Sequence, residues 1–137
     1  MEGHSTSVEK VAISSDGSLI ASGDGAGNII VWDGFTGELL NRLPPYATLI
    51  LNLCFTCNDK YICSRSLQQR AVFVYEVATG SLVTCLSFHT LICTMSASLT
   101  SSYKQSYLIC GLKDDSVKFV KVHSIEEKEN QNSADTR

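Results

Sequence analysis

The sequence repeats itself at a spacing of 42–43 residues. Trp32 and Tyr75 are 43 apart, and so are Gly37 and Gly80, each preceded by a threonine. Val11-Ala12-Ile13-Ser14 and Leu53-Cys54-Phe55-Thr56 match at a spacing of 42. One extra residue therefore falls in the second unit, within Ser66–Arg70. A period of this length leaves room for one supersecondary unit per repeat. Units that small bury their apolar faces only against one another. The chain is expected to be a stack of like units rather than a domain around one central core.

Each unit reads as short apolar runs cut by turns. Val8 to Ser14 alternates, with Val11 and Ile13 on one face and Ala12 on the other. Ser15-Asp16-Gly17-Ser18 is a turn by composition, and Leu19 to Gly23 is a second strand. Asp24-Gly25-Ala26-Gly27-Asn28 turns again, and Ile29 to Asp33 is a strand rich in β-branched residues. Gly34 to Gly37 leads into a fourth strand, Glu38 to Leu43, and Pro44-Pro45 ends the unit. The second unit has strands over 49–56, 61–65, 71–77 and 81–86. In the third, Thr90 to Ala97 is followed by a polar loop, Ser98 to Ser106, then by Tyr107 to Gly111 and Val117 to Val122. Ile109-Cys110-Gly111 reads like Ile20-Ala21-Ser22, and Val120 falls at the Trp32 position. No fourth strand is evident there. Ser124 to Arg137 holds no apolar residue except Ile125 and Ala134 and reads as a disordered polar tail.

Gly3-His4 precedes the first strand and Trp32-Asp33 ends the third. The order Gly-His, strand, Asp-Gly turn, strand, Gly-rich turn, strand, Trp-Asp resembles one unit of the WD-repeat β-propeller family, whose period is ~40–45 residues. The resemblance covers about residues 3–122. It implies an all-β fold, a partial β-propeller of three four-stranded antiparallel blades (units 3–43, 44–86 and 87–123), the third lacking its outer strand. Residues 1–123 would form the propeller part and 124–137 the tail.

In well-formed WD repeats a His, a Ser or Thr, an Asp and the Trp form a hydrogen-bonded set with a structural role. The resemblance carries this onto His4, Ser22 and Trp32, but the Asp position, six before the tryptophan, is Ala26. Asp24 lies two residues earlier, which makes the first set incomplete or rearranged. The second unit offers Ala47, Ser64, Gln69 and Tyr75, so its set is largely missing; in the third, Asp114 matches and His89 is a candidate partner. Ser-His-Asp catalysis is not expected, since no Gly-x-Ser-x-Gly turn is present. Some family members serve cullin-type ubiquitin ligases through a Trp-Asp-x-Arg run. Here it is Trp32-Asp33-Gly34-Phe35, with Phe35 in the basic place, and that role is not expected.

Six cysteines, at 54, 57, 63, 85, 93 and 110, are expected to be free thiols. Cys54-Phe55-Thr56-Cys57 has C-x-x-C form, yet lies on a strand and lacks a second ligand pair at zinc spacing. Cys54 aligns with Ala12 and Cys63 with Ala21, which points to small core positions. No metal or cofactor is expected. Arg65, Gln68, Gln69 and Arg70 cluster around one turn and, with His89 and Lys113, are the candidate partner-contact loops.

A net charge of −3 is not the electrostatic footprint of a nucleic-acid binder. No signal peptide and no apolar run long enough to span a bilayer is visible, which points to cytoplasm or nucleus. The expected function is a non-enzymatic scaffold binding other proteins. Two alternatives stand beside it, a nucleic-acid-associated WD protein of RNA processing and a cysteine-based metal or redox protein. Propellers close with ~4–8 blades. The chain is therefore expected to be the C-terminal fragment or short isoform of a longer protein, or to self-associate through its open ends.

Overall fold

A computed structural model of the chain describes residues 3–45, 48–66, 70–99, 106–122, 125–127 and 130. Eleven strands alternate with short turns. They are β1 (Val8–Ile13), β2 (Leu19–Asp24), β3 (Ile29–Asp33), β4 (Leu39–Leu43), β5 (Ile50–Phe55), β6 (Tyr61–Ser66), β7 (Ala71–Glu76), β8 (Leu82–Ser87), β9 (Ile92–Leu99), β10 (Ser106–Leu112) and β11 (Val117–Lys121). Each lies within two residues of the run that predicts it. Sequential antiparallel pairing gives three sheets, β1-β2-β3-β4, β5-β6-β7-β8 and β9-β10-β11. Among the described residues no strand pairs with the outer edge of β11, and the sheets do not close into a ring. No helix of the described residues is long and apolar enough to cross a membrane.

The repeated dipeptides are repeated turns. Gly37 N–H bonds the Asp33 carbonyl at 2.9 Å and Gly80 N–H bonds the Glu76 carbonyl at 2.8 Å. Both glycines have φ near +75°, at 76° and 72°. A side chain is strained there, which is why Thr-Gly recurs at that point. The first turn of each unit is also shared. Asp16 Oδ1 accepts from the Ser18 N–H at 2.9 Å, and Asn58 Oδ1 from the Lys60 N–H at 3.1 Å.

The cores lie between the sheets. One cluster joins Ala21, Ile29, Val31 and Leu43 of the first sheet to Ile50, Leu53, Phe55, Ile62 and Tyr75 of the second. The other joins Tyr61, Cys63, Val72, Val74 and Leu86 of the second to Ile92, Met95, Leu108, Cys110 and Leu112 of the third. Strand alternation explains the division, because in β6 Ile62 points to one neighbour while Tyr61 and Cys63 point to the other. The innermost strands β1, β5 and β9 lie side by side. The guanidinium of Arg65 ties the second sheet to the third, its Nε donating to Asn52 Oδ1 at 2.7 Å and its Nη1 to the Ile92 carbonyl at 2.9 Å.

Two expectations need correction. Cys110 pairs with Lys118 and Leu108 with Val120, with the same sequence spacings as Ser22–Ile30 and Ile20–Trp32. Val120 thus falls at the Trp32 position, but Cys110 stands at the Ser22 position, not at that of Ala21. A one-residue slip moves every side chain to the other face, and short apolar runs such as Ile109-Cys110-Gly111 do not fix the register. Second, the reading of 124–137 as a disordered polar tail fails at residues 125–127, which are helical. Ile125 is fully buried in the second core, and Glu126 reaches Lys60 at 3.9 Å. Residues 131–137 lie outside the described residues.

Burial at the interfaces sets the cost of mutation. Ile62 is fully buried between the first two sheets, whereas Ile13 is 64% exposed on an open face. Ile62→Ala should cost ~2–5 kcal/mol, and Ile13→Ala should stay within ~0.5 kcal/mol of wild type, measured by urea denaturation. Equal costs would contradict the stacked arrangement.

Candidate functional site

The expected site residues gather at one end of the sheets. β1 begins where β2 ends, at Val8 opposite Asp24; β5 and β6 meet likewise at Ile50 opposite Ser66, and β9 and β10 at Ile92 opposite Leu112. The segments entering β1, β5 and β9 therefore share an end with the β2–β3, β6–β7 and β10–β11 turns. His4, Asp24, Arg70, His89, Lys113 and Asp114 all belong to these connections. Gln68 and Gln69 lie outside the described residues, as does Ala47.

In the first sheet three of the expected residues meet, and a fourth completes the set. Trp32 Nε1–H donates to Ser22 Oγ at 2.7 Å. Ser22 Oγ lies 2.6 Å from His4 Nε2, and His4 Nδ1 lies 2.8 Å from Asp24 Oδ2. One neutral tautomer satisfies the whole chain. The indole donates to the hydroxyl, the hydroxyl donates to Nε2, and Nδ1–H donates to the carboxylate. Every member is buried, with Trp32 3%, Ser22 6% and Asp24 0% exposed and the His4 side chain at 6%. The carboxylate thus comes from the end of β2, not from the turn position held by Ala26. Asp24 also accepts from the N–H groups of Ala26 and Asn28 at 3.0 and 2.9 Å and from Asn28 Nδ2 at 3.1 Å. Burial pushes its pKa up, but the bonds from His4, Asn28 and Ala26 outweigh burial and hold it down at about 2.

Gly3 lets this set form. A Cβ there would meet Trp32 Cη2 at 2.9 Å and Ile30 Cδ1 at 3.2 Å, so only glycine lets the segment lie across the open face of the first sheet. Arg42 Nη1 holds the Gly3 carbonyl at 2.9 Å. The count back from the tryptophan leaves the set either incomplete or rearranged around Asp24, and the structure shows it rearranged. The signal that finds it is Asn28, whose backbone and side chain both clasp a carboxylate four residues earlier.

The other two units diverge. In the second, Ser64 and Tyr75 are buried, and Tyr75 Oη donates to the Pro44 carbonyl at 3.2 Å. In the third, His89 Nε2 and Asp114 Oδ2 are 2.5 Å apart but solvent-exposed. Bonds from Ser116, then from His89, hold the Asp114 carboxylate at about 2. With Cys110 and Val120 at the serine and tryptophan places, no buried relay follows. Of the basic loop residues, Arg70 and Lys113 are exposed, whereas Arg65 is spent on the contact between sheets. Among the described residues no group of three or more His, Cys, Asp and Glu side chains is placed to hold a metal ion.

The relay makes two expected outcomes. Trp32→Ala should cost ~3–5 kcal/mol, as truncation of a buried aromatic does; a stable, cooperatively folding variant would contradict the assignment. An aspartate in the unfolded chain titrates near ~3.9. Because the folded Asp24 value is lower, its contribution is present above about pH 5 and disappears as pH falls toward about 2, a loss of ~2–3 kcal/mol. Wild type should therefore lose its stability advantage over Asp24→Asn across that window. An advantage unchanged between pH 5 and about 2 would sink the proposed carboxylate role.

Comparison with known proteins agrees with this geometry. The family model "WD domain, G-beta repeat" matches residues 1–33. The small ribosomal subunit protein RACK1y of Oryza sativa subsp. japonica is 32% identical over 129 residues, 89% of this chain and 37% of that protein. The chain thus spans well under half the length of this relative. The crystal structure of RRP9 WD40 repeats superposes with a TM-score of 0.66 at 25% identity, covering 87% of this chain and 38% of that one. The β-propeller domain of Myceliophteria thermophila Cps50 (Swd1) superposes with a TM-score of 0.67 at 20% identity, over 87% of this chain and 37% of that one, a likeness of fold alone. With its Gly-His and Trp-Asp marks joined through one buried relay, and its three sheets stacked like blades, this chain belongs to the WD-repeat family.

Proposed function

We propose that this chain is a non-enzymatic interaction scaffold that presents the loop end carrying Arg70, His89 and Lys113 to protein partners. One observation carries the reading. The Ser22 hydroxyl, poised beside the buried His4–Asp24 pair, already accepts from Trp32 and faces His4 at bond distance. With its proton turned to His4, one bond accepted from Trp32 and only 6% of its surface exposed, it is closed to a substrate, so the relay acts as a clamp rather than a nucleophile. What remains accessible at that end is a set of exposed polar and basic side chains on the loops between strands. Such a scaffold has its place in the cytoplasm or nucleus.

The open sheets bear on how the scaffold works. Val117 and Phe119 on β11 are 55% and 65% exposed, and Val11 and Ile13 on β1 are 61% and 64% exposed. We read these faces as seats for further blades, supplied by a longer chain or by a second copy, since propellers close with ~4–8 blades. A second reading keeps nucleic acid as a partner. The relative named as a ribosomal protein favours it, and the inference from net charge alone does not exclude it.

Affinity capture with wild type and with the Arg70→Glu/Lys113→Glu double variant tests the proposal. The variant is expected to lose protein partners at unchanged thermal stability. Identical partner sets would overturn the loop assignment. RNA binding whose affinity falls steeply with salt would shift the conclusion to the second reading.

A further inference from the structure

The C-x-x-C run directs attention to Cys54 and Cys57, but the fold gives Cys54 a different neighbour. In the β5–β6 ladder Cys54 is directly opposite Cys63. Residues so paired project to one face with Cα atoms ~4.5–5.5 Å apart, inside the ~4.4–6.8 Å that a disulfide spans. The two thiols lie near enough for each to shift the other's titration. Cys57 follows the end of β5, where no ladder fixes it opposite Cys54.

Access is just as specific. A cavity of about 280 Å³ opens between β1, β5 and β9, lined by Cys54 and Cys57 together with Ala12, Ile13, Ser96 and Ala97. Cys54 is half-buried at this cavity, whereas Cys63 is fully buried behind it. Of the two opposed thiols, a small oxidant therefore meets Cys54 before Cys63. Cys110 is buried on the third sheet, and Cys85 and Cys93 are exposed on other strands.

We propose that Cys54 is a peroxide-reactive thiol and Cys63 its resolving partner, the two closing a reversible cross-strand disulfide within the second sheet. The Cys54 thiolate attacks one oxygen of a small peroxide; the O–O bond breaks, leaving Cys54 as the sulfenic acid, and the departing oxygen takes a proton. Cys63 then gives up its proton and attacks the Cys54 sulfur. The S–O bond breaks and hydroxide leaves with that proton as water. Two thiols and one hydrogen peroxide become one disulfide and two waters. The adjacent Cys63 thiol lowers the Cys54 pKa against the opposing effect of burial, and the Cys54 thiol together with burial raises Cys63. That is the order of reactivity the sequence of steps requires. Burial likewise holds Cys57 and Cys85 up, and Cys110 at about 11.

The full reduced chain, treated with about one equivalent of hydrogen peroxide, alkylated and digested with trypsin, provides the test. Cleavage after Arg42, Lys60 and Arg65 places Cys54 and Cys57 in one peptide and Cys63 in another. A 54–63 bond therefore joins two peptides, and a 54–57 bond stays inside one. Two of the six thiols are expected to vanish, the joined pair to appear, and a dithiol to reverse it. Cys57→Ser should leave the product intact and Cys54→Ser should abolish it. A bond within the 43–60 peptide, a 57–63 bond, a bond to Cys110, loss of the joined pair in Cys57→Ser, or retention of all six thiols would overturn the proposal; fragmentation of the joined wild-type peptides separates a 54–63 from a 57–63 bond, so a poorly folding variant does not obscure the result.

Discussion

No sheet in this chain has a core of its own. A four-stranded blade has two faces, each strand sends alternate side chains to both, and burial comes only from the next blade. The second sheet meets this condition on both sides, and its strands β6 and β7 supply Tyr61, Ile62, Cys63, Val72 and Val74, all fully buried. The first and third sheets meet it on one side. The first makes up part of the deficit with Gly3 and His4, which lie over Ile30 and Trp32. The third adds Ile125 to the core it shares with the second, and its other face stays open at Val117 and Phe119. Both end sheets therefore leave apolar residues in water.

The relay from Trp32 to Asp24 follows from that geometry. Covering the open face of the first sheet brings a histidine, a serine, an indole and a carboxylate out of water together, and buried polar groups must find partners. Here each does, along a single line of bonds. The third sheet keeps only its outer pair, His89 and Asp114, in solvent, where such a pair contributes little to stability. The same residue types therefore fasten the chain in one unit and decorate a loop in another. That difference separates the two roles assigned to this end of the molecule, clamp in the first sheet and contact surface in the others.

Much of this was legible in the sequence because the repeat let two copies check each other. All eleven strands and the turns ending in Gly37 and Gly80 follow from alternation and turn chemistry. What escaped depended on a single residue or on register. Spacing alone leaves the role of Asp24 open, because the expected acid position is held by Ala26 and only the fold shows that a side chain at the end of a strand reaches the same histidine. Cys110 was set one place off because nothing local distinguishes the two faces of a short apolar run. Arg65 was read as a loop contact because its partners, Asn52 and the Ile92 carbonyl, are distant in sequence or on another sheet. Ile125 looked like a stray apolar residue because its binding site is formed by strands far from it in the chain. Local pattern determines strands; which strand lies next to which face is a property of the stack.

If blade-to-blade burial is what holds the molecule together, stability must be graded outward from the middle sheet. Native-state hydrogen exchange, resolved by residue, measures this most directly. The account predicts the slowest amides in β6 and β7, intermediate protection in β2, β3 and β10, and the fastest exchange along β1 and β11. A protection maximum in β2 and β3, with β6 and β7 no slower than the edge strands, would show that the sheets are stable individually and would contradict it.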